Sequence, residues 1–427
     1  MSLRLRSDSS NYNKLVNAVL ASRARSAEAV SALVSKIASV IKTHGDKALL
    51  AYNQKFDGIS NKCLRLCVGS LINTLDLRTL FSFKFAYDRV MTYRAYQLPS
   101  NAFYRDSTGV RLGSKWTPLD SVGVYAPGGT AGYFSSIIMN AVLAKVAGVK
   151  QISLITPYYR LTNRALINAC AKLCGIKYIY CSGGAQTVIA AAIGTRAIIK
   201  VDKITGPGNV HVTAAKRKLF GLIGTDCVAG PSETMLITDR STNAWVASAD
   251  LTSQLERDKT ALALLVSKTP ALASSIRFRT ALLTSNVARR KIARYSWSAY
   301  GITIVCRTSG ALFKTIRTCA PAHLQIQTAR PMLVLAKLNA AGAVFLGKYT
   351  PVVIGDYVGG ANHTLPTNAA ARFSSGLSVL DYVKRTSVTW VATKRSLEAL
   401  AIVCIRAALF EGLSAHALAV ACRLANS

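Results

Sequence analysis

The sequence predicts an α/β protein in which parallel β-sheets are covered by helices. Short apolar runs, such as 121–125 and 152–155, are each followed by a turn and then by a segment with helical spacing. This alternation is typical of parallel strands that are joined by helical crossovers. The length of 427 residues predicts two or three domains, and a hydrophobic content of 51% is sufficient for substantial cores.

Each predicted element follows from a local pattern. Residues 11–55, and the chain from residue 396 onwards, carry apolar side chains three or four positions apart, which indicates helices. Further helices are predicted from residue 135, over 164–174 and after residue 209. Strands are predicted at 121–125, 152–155, 178–180, 203–204, 234–237, 262–266, 302–305, 324–326 and 343–346.

The formal net charge of +34 raises the question of nucleic-acid binding. The basic residues form short clusters along the whole chain, such as 216–218 and 289–291, and the excess reflects the shortage of acidic residues as much as the abundance of basic ones. The sequence has no basic tail, zinc finger or RNA-binding sheet motif. We therefore predict no specific nucleic-acid partner, and a basic polyanion-binding protein is the alternative class.

The apolar runs are too short to cross a bilayer. None reaches the roughly 18 residues that a membrane-spanning helix needs. The Arg- and Ser-rich start lacks the apolar core of a secretory signal. The ten cysteines include no CxxC pair, which favours reduced thiols. These features predict a cytoplasmic protein with no membrane contact.

Glycine-rich turns separate predicted strands from helices at 126–132, 182–186 and 206–209. Such turns let backbone amides approach an anion at the N-terminus of a helix. None has the GxGxxG spacing of the dinucleotide-binding fingerprint, so each turn alone is equally well explained as a tight connection. Together, turns at the strand ends of one sheet would line the edge at which open α/β sheets bind ligands.

Three of the five histidines lie in the last quarter of the chain, beside polar groups. They are His323, His363 and His416, and the carboxylates of Asp356 and Glu411 lie near them in the sequence. Neutral imidazole and carboxylate groups can ligate zinc, and they can also move protons near pH 7. Any one of these residues alone would more often be an ordinary surface or hydrogen-bonded residue, but the cluster predicts a metal or acid–base site.

A series of motifs resembles the histidinol dehydrogenase family, with the same order and spacing from about residue 12 to residue 425. The resemblance does not depend on any single motif, and a chance agreement of the whole series is very improbable. The motifs are YAPGG at 125–129, GGAQ at 183–186, DKITGPGN at 202–209, AGPSE at 229–233, HL at 323–324, GDY at 355–357 and NHTLP at 362–366.

The resemblance implies an NAD-dependent, zinc-containing homodimer. The family oxidises L-histidinol through L-histidinaldehyde to L-histidine at the end of histidine biosynthesis. It also implies two Rossmann-like parallel-sheet domains, one inserted in the other, with helical extensions at both ends. The implied parts are an N-terminal helical extension at 1–22, a first domain on the substrate and zinc side at 23–123 plus 234–375, an inserted NAD-side domain at 124–233, and a helical tail at 376–427 that contacts the partner subunit.

The resemblance also implies cofactor-binding and catalytic residues. Tyr125, Gln186 and Asn209 match the positions that contact the nicotinamide cofactor. His323 matches a substrate contact, namely the histidine that accepts the alcohol proton as hydride leaves.

Substrate and zinc contacts are implied in the same way. Ser232 matches a substrate contact, and Gln254, Asp356 and His416 match both substrate contacts and three of the four zinc ligands. Glu411 matches a further substrate contact, and Glu411 and His416 match tail residues that complete the site of the other subunit.

Two positions depart from the family pattern. Ala322 stands where the family has a glutamate that activates water, so the second oxidation should suffer more than the first. Arg257 stands where the family has its fourth zinc ligand, and arginine cannot ligate a metal. The sequence therefore predicts poor zinc affinity and an impaired enzyme. The alternative is a degraded homologue that acts by completing an intact copy's site in a mixed dimer.

Overall fold

The computed structural model describes residues 3–8, 28–60, 62–70, 75–128, 134–226, 230–360 and 362–425. The part of the first predicted helix before residue 28, residues 129–132 of the first glycine turn, and Ala229 of the fourth motif lie outside these ranges. The described chain contains two six-stranded sheets and one three-stranded sheet.

Strands and helices alternate along most of the chain. In chain order the strands are β1 (Leu3–Arg6), β2 (Arg65–Cys67), β3 (Ala102–Arg105), β4 (Arg111–Pro118), β5 (Ser121–Tyr125), β6 (Gln151–Ile155), β7 (Tyr178–Tyr180), β8 (Lys203–Thr205), β9 (Gly224–Thr225), β10 (Glu233–Thr238), β11 (Leu262–Ser267), β12 (Gly301–Val305), β13 (His323–Gln327), β14 (Ala343–Leu346) and β15 (Val383–Trp390). The described helices are α1 (Glu28–Tyr52), α2 (Leu77–Ala95), α3 (Phe134–Ala147), α4 (Arg164–Cys174), α5 (Gly184–Ile193), α6 (Val210–Leu219), α7 (Ala244–Leu255), α8 (Pro270–Asn286), α9 (Arg290–Tyr300), α10 (Ser309–Cys319), α11 (Pro331–Leu335), α12 (Val352–Tyr357), α13 (Lys394–Phe410) and α14 (Ser414–Ala425).

The first sheet is parallel throughout and has the strand order β1-β12-β11-β10-β13-β14. Every residue of β10 and β11 is buried, because helices cover both faces of the sheet. Met235 and Ile237 of β10 pack into one core cluster, whereas Leu236 between them packs into the cluster on the other face.

The second sheet has the strand order β2-β7-β6-β5-β8-β9 and is parallel except for β2, which runs antiparallel at one edge. Helices α2, α3 and α4 contribute to the core cluster on one face, and α1, α5 and α6 contribute to the cluster on the other. A small antiparallel sheet with the order β15-β4-β3 lies outside these two layers.

The α/β prediction is confirmed. All the predicted strands form, and none of their ends differs from the prediction by more than one residue. The predicted helix over 164–174 is α4, with the same bounds. The apolar run beginning at residue 136 is inside α3, most of whose residues are buried. Among the helices that the structure describes, none is both long enough and apolar enough to cross a membrane.

The predicted helical N-terminal extension at 1–22 is wrong at residues 3–6. This segment is strand β1, which pairs in parallel with β12. Its sequence, LRLR, alternates apolar and basic residues, and Leu5 is buried while Arg4 and Arg6 are exposed. A period of two is the pattern of a strand that has one face on the core.

The sheet assignments also differ from the predicted domain boundaries. The resemblance assigns residues 23–123 to the first domain, but β2 and the first three residues of β5 belong to the second sheet, and α1 packs on α5 and α6. The predicted helical tail at 376–427 contains β15, which is rich in β-branched residues and pairs with β4 along its whole length. Local periodicity indicates the type of an element, but it does not determine which sheet the element joins.

Candidate active site

His323 is the first residue of β13 and lies beside the start of β10, because it pairs with Thr234 in the parallel register. Its Nδ1 atom is 3.1 Å from the backbone oxygen of Glu233. A carbonyl oxygen only accepts hydrogen bonds, so Nδ1 carries the proton and donates it. The Nε2 atom therefore keeps its lone pair, and it is buried without a hydrogen-bond partner.

The protonation state of His323 follows from its surroundings. Burial, and to a smaller extent the positive charge of Arg257, lower the pKa of His323 to about 4, and the charge of Asp356 only partly opposes this. The imidazole is consequently neutral at pH 7. A neutral ring with an available Nε2 lone pair can accept a proton, as a general base must.

Arg257 follows the C-terminal end of α7 and binds two of the predicted zinc ligands. Its Nη1 atom lies 3.1 Å and 3.2 Å from the two carboxylate oxygens of Asp356, which belongs to α12. The same atom is 3.1 Å from Oε1 of Gln254, in the last turn of α7. The guanidinium therefore binds the oxygen lone pairs that a metal ion would need.

These residues do not fit a zinc ion in this arrangement. Zinc requires ligand atoms at about 2.0–2.2 Å, and a guanidinium about 4 Å from the ion would be repelled by roughly 8 kcal/mol at an effective dielectric constant of ~20. Within the described residues of one chain, no three His, Cys, Asp or Glu side chains are grouped so as to hold a metal ion.

His363 lies on the loop after α12, and this loop is held against α3. Its Nε2 atom is 3.1 Å from Oγ of Ser136, and Nδ2 of Asn362 donates to the backbone oxygen of Met139 at 2.9 Å. Burial lowers the pKa of His363 to about 4. The sequence pattern marks this histidine but predicts no role for it. Its place in the NHTLP motif, shortly after Asp356, is the signal that could have identified it.

Arg257, Asp356 and His363 line one cleft of about 380 Å³, together with Gln254. This volume is within the usual range for small-molecule sites. The aromatic rings of Phe134 and Tyr357 stack in its wall, with centroids 5.8 Å apart. His323 is buried and does not line the cleft, but the charges of Arg257 and Asp356 act on it.

Ser232 and Ala322 directly precede β10 and β13, so both lie at the edge of the first sheet where His323 is found. The backbone oxygen of Ser232 accepts a hydrogen bond from the amide of Leu262 at 3.0 Å. Ala322 is only 1% exposed. The position before the predicted base is therefore buried and supplies no carboxylate.

The two predicted tail residues lie on the surface. Glu411 is the residue after α13, and His416 is in the first turn of α14; both are exposed. The lining of the cleft includes Gln254 and Asp356 but neither Glu411 nor His416. A single chain therefore brings only part of the predicted residue set to the cleft.

The three predicted cofactor residues lie at the carboxyl ends of strands in the second sheet. Tyr125 ends β5, and its hydroxyl oxygen accepts a hydrogen bond from the amide of Gly184 at 3.1 Å. Gln186 is in the first turn of α5, close to Gly184. Asn209 caps the N-terminus of α6, and its side-chain oxygen accepts two backbone hydrogen bonds there. The structure brings the first two of these residues together around Gly184.

This edge combines a topological switch point with closely packed glycine turns. Strand β5 is flanked by β6 and β8, so the strand order reverses at β5, and open α/β sheets bind ligands at such a switch point. At this edge the glycine turns allow two backbone segments to approach each other closely. Gly206 has a φ of +114°, and a Cβ atom on it would be 2.1 Å from the backbone oxygen of Tyr125. Helices α5 and α6 begin at this edge and direct their N-terminal amides towards it.

Two layers of helix-covered, largely parallel sheets, with glycine turns at one strand edge and a buried neutral imidazole in the other layer, place this protein among the α/β enzymes. The histidinol dehydrogenase family model matches residues 20–424. The chain is 41% identical to the histidinol dehydrogenase of Rhizobium meliloti (strain 1021), over 99% of both chains. It is 40% identical to that of Brucella abortus (strain 2308), over 98% of this chain and 99% of the relative.

A solved structure agrees with these relatives. The crystal structure of histidinol dehydrogenase from Elizabethkingia anophelis superposes with a TM-score of 0.93 at 30% sequence identity, covering 100% of this chain and 98% of that one. The chain belongs to the histidinol dehydrogenase family.

Proposed function

We propose that this chain is an NAD-dependent histidinol dehydrogenase, which oxidises L-histidinol to L-histidinaldehyde and the aldehyde to L-histidine. The observation that carries the proposal is the buried Nε2 atom of His323, which is neutral and without a hydrogen-bond partner. Family membership over nearly the whole chain supports the same substrate. The proposed cofactor contacts are Tyr125, Gln186 and Asn209.

The first oxidation removes a proton and a hydride from the alcohol. Bound NAD supplies the hydride acceptor. Nε2 of His323 accepts the hydroxyl proton, the C–H electrons leave as hydride, and the carbon–oxygen double bond of the aldehyde forms. Because the Nδ1 proton is donated to the backbone oxygen of Glu233, the ring is held with Nε2 as its basic atom.

The second oxidation requires water to add to the aldehyde carbon before another hydride can leave. A carboxylate next to His323 would activate this water, but Ala322 has none. The aldehyde step is therefore proposed to be the slower one, because general-base assistance is typically worth 10²–10⁴-fold.

The test measures NADH formation from histidinol and from histidinaldehyde separately, with histidine quantified as the product of the second step. We expect alcohol oxidation to be detectable and aldehyde oxidation to be the weaker activity. NADH formation from neither substrate, in a protein that is folded by circular dichroism, would contradict the proposed function.

We also propose that the chain forms a homodimer in which Glu411 and His416 complete the partner's site. Ile402, Val403 and Phe410 of α13 are 67%, 71% and 92% exposed in the single chain. Exposed apolar surface of this kind is typical of an interaction site, and Glu411 and His416 lie just beyond it in the chain. Val403→Asp is expected to produce a monomer in analytical ultracentrifugation. Phe278→Asp is the matched control, since that side chain on α8 is 70% exposed.

Mixed dimers test the shared site directly. A variant lacking both tail side chains, Glu411→Ala/His416→Ala, and the base variant His323→Gln are each expected to be nearly inactive alone. When they are mixed and allowed to exchange, a heterodimer contains one site with all its residues, so activity should reappear. Mixing that restores no NADH formation would contradict a site shared between subunits.

A further inference from the structure

Arg257 lies where it can act as a permanent cation in the candidate site. We propose that its guanidinium takes the place of a metal ion. The protein then positions Asp356 and Gln254, and oxidises its substrate, without a bound divalent metal. The proposed role in turnover rests on the dehydrogenase function, whereas the absence of bound metal does not depend on it.

Two of the predicted zinc-ligating side chains, Asp356 and Gln254, are hydrogen-bonded to Arg257. Nη1 of Arg257 is within hydrogen-bond distance of both carboxylate oxygens of Asp356 and of the amide oxygen of Gln254. The side chains of the ion pair are 30% exposed for Arg257 and 12% exposed for Asp356, so the pair is partly withdrawn from water. A metal ion could bind these oxygens only after displacing the arginine.

The chemistry of the ligand set explains why an arginine can occupy this place. Every metal ligand offers a lone pair, and a lone pair is also a hydrogen-bond acceptor. A guanidinium carries several N–H donors in a planar arrangement and stays charged at any working pH. It can therefore neutralise Asp356 and orient Gln254 as a metal ion would. In the proposed dimer, His416 of the other chain would supply one more acceptor.

A guanidinium differs from a metal ion in what it can do to a substrate. It cannot coordinate an amine or imidazole nitrogen as a Lewis acid does, but it can donate a hydrogen bond to the lone pair of such a nitrogen. The site would thus recognise a neutral nitrogen of the substrate by hydrogen bonding. Orientation of the substrate is retained, while any reaction step that depends on Lewis acidity is lost.

The experiment measures metal content and thermal unfolding of the purified chain, independently of turnover. The protein is dialysed against zinc-containing buffer and then against metal-free buffer, and zinc is quantified by elemental analysis. We expect far less than one zinc ion per chain and no change in the melting temperature on adding EDTA. One zinc ion per chain, with a melting temperature that EDTA lowers, would overturn the proposal.

Arg257→His tests whether this one side chain excludes the metal. We expect the variant to bind close to one zinc ion per chain and to become sensitive to EDTA in thermal unfolding. Arg289→His is the matched control: Arg289 lines the same cleft, its Nη1 atom donates to the backbone oxygen of Arg257 at 3.4 Å, and the variant should gain no zinc. Equal zinc binding by the two variants would show that Arg257 does not hold the metal position.

Activity assays separate this inference from the proposed function. NADH formation from histidinol that EDTA does not inhibit would support both. A zinc-free chain that forms no NADH would contradict the function, and with it turnover without a metal, but would leave the occupation of the metal position by Arg257 supported. NADH formation that requires zinc would support the function and overturn the replacement.

Discussion

The two large sheets place their candidate functional residues at opposite ends of their strands. In the second sheet, Tyr125 ends β5, and Asn209 follows β8. In the first sheet, His323 begins β13, and Ser232 directly precedes β10. The proposed cofactor site therefore lies at the carboxyl ends of the parallel strands of the second sheet, the cofactor edge. The proposed catalytic site lies at the amino ends of the strands of the first sheet, the catalytic edge.

The two edges also differ in what makes them functional. The cofactor edge depends on backbone geometry, such as the close approach of Gly206 to Tyr125 and the N-termini of α5 and α6. The catalytic edge depends on particular side chains, because proton transfer and charge neutralisation require an imidazole, a carboxylate or a cation. Both departures from the family pattern, Arg257 and Ala322, belong to the side-chain-dependent region. An amino-acid substitution changes the chemistry of a site made of side chains more readily than it changes a site made of backbone groups.

The largest expected effect tests the catalytic edge. His323→Gln removes the base and should lower kcat for histidinol oxidation by about 10²–10⁴-fold, with the affinity for NAD nearly unchanged. Steady-state kinetics and NAD titration by fluorescence measure the two quantities. If kcat fell less than tenfold, His323 would not be the base, and the proposed division between the two edges would fail.

A gain of activity should follow from restoring a carboxylate next to the base. Ala322→Glu is expected to raise the rate of aldehyde oxidation by about 10²-fold and to change alcohol oxidation much less. The double variant with Arg257→His should raise overall turnover further. The ratio of the two NADH-forming rates is the measurement. An unchanged ratio would mean that residue 322 does not face the reacting water.

Acid should destabilise the catalytic region through its buried histidines. His323 and His363 have folded pKa values of about 4, against 6.5 for a histidine in the unfolded chain. Between these pH values the unfolded state binds more protons, so the free energy of unfolding falls as the pH decreases, by up to about 3 kcal/mol for each histidine. Urea unfolding at a series of pH values measures this slope. The double variant His323→Gln/His363→Gln should lose most of it.

The smallest effect is expected at the cofactor edge. A Cβ atom on Gly206 would meet the backbone oxygen of Tyr125 at 2.1 Å, at a φ of +114°. Gly206→Ala should therefore cost about 1–3 kcal/mol and weaken NAD binding. Gly221→Ala is the control, because Gly221 also has a positive φ, +92°, but a Cβ there meets no atom within 4 Å. Equal effects of the two substitutions on NAD affinity would show that the close approach at Gly206 does not shape the cofactor site.

The sequence predicts many of the residues at the candidate site, but it does not predict the contacts that they make with one another. The prediction of His323 as the base, and of Arg257 at a zinc-ligand position, follows from the resemblance of the sequence to the family. The sequence did not predict that Arg257 would bind Asp356 and Gln254, since a long side chain could equally have turned to solvent. The sequence assigns no role to His363, because its contact with Ser136 joins segments that are far apart in the chain.

The sequence alone specifies the type and bounds of nine of the fifteen described strands, because apolar runs and glycine turns are local signals. It also determined the family, since the order of the motifs is a property of the chain alone. Three arrangements depend on the tertiary structure: β1 joins β12, α1 packs on the second sheet, and Arg257 pairs with Asp356. Each of these is a contact between distant segments, and its stability depends on burial and charge in the assembled protein, which no local pattern specifies.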